Sequence, residues 1–173
     1  MIFVSGIHGV GKTYFCNMIK EKLGIKNYSA SQLIAGRRGK SFSADKFVSE
    51  IDDNQVLLLD AINELRQADE EFILDGHFCL LNKNGVITRI PMETYILLKP
   101  DTMILLLENS KIIAERRLQR DGIQQDERII ADFQDAEKVY AVEIAKQLNI
   151  PLEISGGASD LERIVEIIKT GGH

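Results

Sequence analysis

Residues Gly6-Ile7-His8-Gly9-Val10-Gly11-Lys12-Thr13 spell a complete G-x-x-x-x-G-K-[ST] string. Ile2–Ser5 before it reads as a short buried strand, and Lys12–Leu23 after it as a helix that Gly24 stops. A glycine-rich loop between a strand and a helix admits few folds. Its glycines let the backbone curl with N–H groups turned inward, and the helix N-terminus adds orphan N–H groups and a favourable dipole for an anion. Lys12 can reach the β- and γ-phosphates of a nucleotide, and the Thr13 hydroxyl can ligate Mg²⁺. Gly6, His8, Gly9, Val10, Gly11, Lys12, Thr13 and Tyr14 are therefore the candidate phosphate-holding residues. His8 occupies a variable position of the string and reads either as loop filler or as a chemical group.

The rest of the chain alternates strand and helix signals, the pattern of a parallel α/β sheet. Strands are expected at Asn27–Ala30, Glu71–Asp75, Met103–Leu107 and Leu152–Ile154, with a hairpin turn at Asn82–Gly85. Helices are expected at 44–51, 54–68, 92–98, from Asn109 or Ser110 to Arg120, and at 126–148. In the last of these Ile129, Phe133, Ala136, Tyr140, Ile144 and Leu148 recur at three- and four-residue spacing, a core face. Ser159-Asp160-Leu161-Glu162 has the form of a capping box for a final helix. Gln32 to Phe42, rich in Gly, Arg, Lys and Ser, reads as loop, and the tail 171–173 as frayed. With 173 residues and no linker or repeat, the expectation is a single domain, 1–173.

A net charge of −5 argues against nucleic acid and membrane surfaces as partners, so positive charge should serve a small anion locally. Cys16 and Cys79 make no disulfide framework, and neither a signal peptide nor an apolar run of about 18 residues is visible. A cytoplasmic setting is expected.

Three further places carry possible phosphate chemistry. Asp75 ends an apolar strand, where an open α/β sheet binds its ligands. It could hold a Mg²⁺ water, act as a base, or simply accept backbone N–H groups; Asp60, within a helical pattern, is a weaker rival, and His77 could contact substrate. Arg116, Arg117 and Arg120, followed by Arg128, are spaced for phosphate clamping or for a solvated face paired with Glu115, Asp121 and Glu127. Arg37 and Arg38, beside Gly39 and Lys40, could receive an acceptor's phosphate or line an exposed loop. Tyr28 to Leu33 offers no acid, which favours an acceptor that is already an oxyanion.

Taken together, the loop Gly6–Thr13, the segment Ile73-Leu74-Asp75-Gly76-His77, the Lys99-Pro100-Asp101 approach to the fourth strand and the run Glu115–Asp121 resemble the P-loop nucleoside-monophosphate kinases. The likeness is to the adenylate-kinase-like branch of archaea and of the eukaryotic nucleus, and it spans nearly the whole chain. It implies a three-layer P-loop NTPase fold whose five parallel strands lie in order 2-3-1-4-5, an acceptor-binding segment at about 31–66 and a short lid at about 116–128. It also implies Mg²⁺-dependent transfer of the ATP γ-phosphoryl group to a nucleoside monophosphate such as AMP. In that scheme Arg116 or Arg117, with Arg120, bridges the donor phosphates, and Gly157 in Ser155-Gly156-Gly157-Ala158 passes along the adenine. His77-Phe78-Cys79 stand where the usual adenylate kinase carries an arginine for the acceptor phosphate. Two other readings stay open: a kinase of a nucleoside or other small hydroxylated metabolite with Asp75 as base, and a P-loop ATPase acting as a regulatory switch. Oligomeric state is not legible.

Overall fold

The computed structural model describes residues 1–41, 50–68, 71–82, 85–122 and 124–171. The helix expected at 44–51 and the last two tail residues lie largely or wholly outside them. Four short strands, β1 (Ile2–Ser5), β2 (Lys26–Ser29), β3 (Phe72–Asp75) and the later β6 (Thr102–Leu106), join β7 (Leu152–Ser155) in one sheet of order β2-β3-β1-β6-β7. All its pairings are parallel. Counted along the chain, the sheet's strands run 2-3-1-4-5 as expected. A separate antiparallel hairpin, β4 (Cys79–Leu81) with β5 (Ile87–Arg89), follows β3. The central strands β1, β3 and β6 are buried end to end, as strands covered on both faces must be.

Helices α1 (Lys12–Leu23) and α7 (Leu161–Lys169) pack together on one side, with α1 against β1, β2 and β3; α6 (Glu127–Leu148) lies against β6, β7 and the hairpin. Between β2 and β3 come α2 (Ala30–Ser41) and α3 (Glu50–Gln67), which pack on each other; α3 also touches α4 (Met92–Leu98), and α5 (Ser110–Asp121) touches α6. Asn109 caps α5 and Asp126 caps α6, each side-chain oxygen accepting the N–H two residues on, contacts worth about 1 kcal/mol apiece.

Three local expectations are corrected. Residues 32–41 are helix, not loop: α2 packs along α3, and that tertiary contact overrides the weak local propensity of a Gly- and Ser-containing stretch. On α6 the buried stripe runs through Ile130, Phe133, Glu137, Tyr140, Ala141 and Ile144, and Ile129 faces out. The stripe is set by the neighbouring sheet and hairpin and is rotated by about one residue from the apolar spacing. The capping box does not form. A short 3₁₀ turn, Ala158–Asp160, precedes α7, and Asp160 accepts the Gly156 N–H at 2.7 Å instead.

Candidate active site

The carboxyl ends of β1, β2 and β3 bring Ser5, Ser29 and Asp75 to one edge of the sheet, with Val4 and Ser29 in register with Asp75. The loop leaves β1 here. Gly9 and Gly11 have φ of 86° and 106°, and Gly11 opens α1, so the loop needs glycine at both positions. A Cβ on Gly9 would lie 3.1 Å from Arg117 Cγ, so close approach as well as backbone angle excludes a side chain.

Lys12 is buried and its Nζ donates to the Gly6 carbonyl at 2.7 Å, spanning the loop from within. Burial pushes its pKa down to about 8, opposed by the Asp75 carboxylate. Burial in turn raises the pKa of Asp75, and Lys12 pulls it back. Lys12 and Asp75 are thus electrostatically coupled at the edge of a cavity of about 550 Å³ that also presents Thr13, Tyr14, Arg116 and Arg120. Val10 keeps its side chain in the core and only its carbonyl at the loop.

The adjacent arginines have different surroundings. Arg117 is 6% exposed, its Nε donates to the His8 carbonyl at 2.8 Å, and its Nη1 donates to Gln125. It pins the loop backbone to the α5–α6 connection and does not line the phosphate cavity. Arg116 lies at the cavity's rim, donating from Nη1 to the Val10 carbonyl at 3.0 Å and pairing with Glu108 at 3.1 Å. Arg120 lines the same cavity and is paired with Asp121 at 2.6 Å. His8 is held towards its neutral form, chiefly by burial and then by Arg120, Lys12 and Arg117. Gly157 has φ of 87° in the loop after β7 and is not among the residues lining the phosphate cavity.

A second cavity, of about 300 Å³, opens beside the first. Its walls come from β1, β2, α2, α3, β3, the hairpin and α4, and include Phe3, Ile34, Leu58 and Tyr95. Ser29, Ser31, Asp75 and His77 face both cavities. Arg38 lines this second cavity from a helix rather than a loop and donates to Asn54 Oδ1 at 2.7 Å. Arg37 instead pairs with Glu64 of α3 at 2.5 Å and is not a lining residue. Asp60 lies on α3 outside both cavities. The His77 Nδ1 is buried without a hydrogen-bond partner, and burial followed by Lys12 and His8 lowers its pKa to about 3, so the ring stays neutral.

One group at the site escaped the sequence reading. Glu137 of α6 is fully buried and accepts hydrogen bonds from the Ser5 hydroxyl, from the Phe78 N–H at 2.9 Å and from the Cys79 N–H at 2.6 Å. It ties the loop's entrance to the chain leaving β3. The signal was present in the α6 spacing, since position 137 falls one turn after Phe133, but a carboxylate there reads as a surface group until its partners are seen.

Thr13 and Asp75 offer hard oxygen donors at the phosphate cavity, which suits Mg²⁺. Among the described residues no group of three or more His, Cys, Asp or Glu side chains converges. A metal carried largely by nucleotide phosphates and water requires no such cluster. Among the described residues no helix is long and apolar enough to cross a membrane.

A glycine-rich cradle at the exit of the central strand of a parallel sheet, with a buried lysine inside it, defines a P-loop nucleotide-binding protein. The AAA domain family matches residues 5–134, and the chain belongs to that family. The adenylate kinase of Pyrobaculum aerophilum is 29% identical over 86% of this chain and 74% of its own length. The cytidylate kinase of Archaeoglobus fulgidus is 23% identical over 96% of this chain and 91% of its own. The shikimate kinase from Bacteroides thetaiotaomicron shares the fold, with a TM-score of 0.55 across 98% of this chain and 96% of that one at 16% identity. The chain is of the P-loop type, and the relatives it matches carry the names of kinases.

Proposed function

We propose that this protein transfers the γ-phosphoryl group of ATP to a nucleoside monophosphate in a Mg²⁺-dependent reaction. The observation that carries the reading is the pair of cavities meeting at Asp75: one beside the phosphate loop, the other more enclosed and largely apolar, with a guanidinium on its wall. Phosphoryl transfer needs little covalent chemistry from a protein and much positioning and charge neutralisation. The loop amides and Lys12 hold the donor phosphates, and Arg116 and Arg120, freed from Glu108 and Asp121, supply positive charge to the transferring group. Thr13 and Asp75 hold Mg²⁺, which screens phosphate charge when bound. Arg38 receives the acceptor's phosphate, and the apolar walls take its base. Arg117 and Arg37 act by positioning: the first fixes the loop, the second holds α2 against α3. Gly157 contacts the donor's adenine only if the lid segment, about 116–128, closes over it. The names of the adenylate and cytidylate kinase relatives support a nucleoside-monophosphate acceptor.

A second reading rests on Asp75 itself. A carboxylate with raised affinity for protons, at the junction of donor and acceptor cavities, is placed to take a proton from an alcohol. That would suit a hydroxylated acceptor. A coupled assay with purified protein, Mg²⁺ and ATP separates the two. ADP formation that rises with AMP or another nucleoside monophosphate is expected. A rise only with hydroxylated metabolites would move the assignment to the second reading, and ATP loss indifferent to every small acceptor would overturn both.

A further inference from the structure

The second cavity holds two polar side chains that find no hydrogen-bond partner among the described residues. Gln55 of α3 is 9% exposed and Thr94 of α4 is 4% exposed, and both line the cavity. The neighbouring polar groups are engaged: Asn54 by Arg38, Ser29 by Ser31, and Asp75 by the charge of Lys12. Among the described residues, neither the Gln55 amide nor the Thr94 hydroxyl makes a side-chain hydrogen bond. Both side chains line the cavity, within reach of an occupant. Buried amides and hydroxyls are nearly always paired, because an unpaired one keeps its full desolvation cost. A pair left open beside polar groups already engaged is matched to polar groups of the occupant.

The chemistry of the pair narrows the occupant. A carboxamide presents a donor and an acceptor side by side in one plane. Its natural complement is a planar ring edge with an acceptor next to a donor, and each nucleobase has one. The surrounding walls, with the rings of Phe3 and Tyr95, accept a flat apolar face. A polyhydroxylated acceptor would also place hydroxyls against Ile34, Leu58 and Leu98, which offer them no hydrogen bond. We infer that Gln55, assisted by Thr94, reads the base edge of the acceptor, which makes Gln55 the residue that sets base preference. The inference rests on the proposal that this cavity holds the acceptor.

The test is a panel of AMP, CMP, GMP and UMP assayed with wild-type protein, Gln55→Leu, Gln55→Glu and Thr94→Val, each checked for an unchanged melting curve. Wild-type activity on some nucleoside monophosphate tests the proposed function alone; its absence across the panel would sink that reading and this one with it. Given such activity, Gln55→Leu should lower kcat/KM for the preferred acceptor at least about tenfold, chiefly through KM, with KM for ATP unchanged. Gln55→Glu replaces a donor by an acceptor and should reorder the panel, and Thr94→Val should give a smaller loss. The same base ranking and acceptor KM in folded Gln55→Leu and Gln55→Glu would overturn the inference and leave the kinase assignment standing. A folding failure of the leucine variant would leave the isosteric glutamate variant to decide.

Discussion

The two cavities that meet at Asp75 are built in opposite ways. The phosphate cradle is a contiguous stretch, Gly6–Thr13, whose working parts are backbone amides and one ammonium group. The proposed acceptor cavity is assembled from β1, β2, β3, the hairpin, α2, α3 and α4, and its walls are mainly apolar. A polyphosphate has the same charge whatever nucleoside carries it, so a short local motif can bind it. An acceptor must be told from others by shape and by a few polar groups, and that requires walls brought from far apart. On the proposed function, the donor side would govern whether the reaction occurs, and the acceptor side on what.

That division can be broken by mutation, starting where the effect should be greatest. Lys12→Ala should lower kcat by about a thousandfold or more while the protein stays folded, because it removes the buried cation facing the donor phosphates. A folded variant with wild-type turnover would refute the role. Asp75→Asn should lower kcat by about a hundredfold, since it deletes the one carboxylate that, among the described residues, faces both cavities. If steady-state assays show only a changed acceptor KM, Asp75 belongs to binding and not to the chemical step. Arg38→Ala should raise the acceptor KM by about tenfold with little change for ATP, whereas Arg37→Ala, which breaks only the pair with Glu64, should move it less than about threefold. Equal effects at the two positions would erase the distinction drawn between them.

The finest effect is in pH. Lys12 has a pKa of about 8 in the folded protein against 10.5 in an unfolded chain. Between those values the unfolded chain holds a proton that the folded one has released. Lys12 therefore adds stability to the unliganded protein as pH rises through this window. ATP prefers the charged form, so its affinity should fall over the same range. Melting curves of wild type and Lys12→Met, with and without Mg-ATP at pH 7 and 9.5, isolate the term. On going to the higher pH the unliganded wild type should gain relative to the variant, and its stabilisation by ATP should shrink. Stabilisation by ATP that is independent of pH would show that Lys12 keeps its proton throughout.

How far the sequence reveals such a site is seen residue by residue. The loop, the strand ending in Asp75, the hairpin, and the start of α5 at Asn109 or Ser110 were all legible, because each follows from spacing and composition within a dozen residues. Arg116 and Arg117 were legible as a pair and not as individuals. Adjacent helix positions point about 100° apart, and only the placement of α5 against the loop puts Arg117 under His8 and Arg116 at the cavity's rim. Arg37 and Arg38 were found and misplaced on a loop. Gln55 and Thr94 gave no local sign, and Glu137 only its place in the α6 spacing, since a polar residue on a helix reads as solvent-facing until the partner surface is known.

The sequence by itself determined the phosphate cradle, the alternation of strand and helix and the family, because glycine torsions, apolar periodicity and caps act over a few bonds. The tertiary structure alone decided which arginine serves the loop and which the cavity, which carboxylate is buried as a tie, and which polar groups line the second cavity. Those outcomes depend on distances between segments as much as 132 residues apart, as for Ser5 and Glu137, and no local pattern encodes such distances.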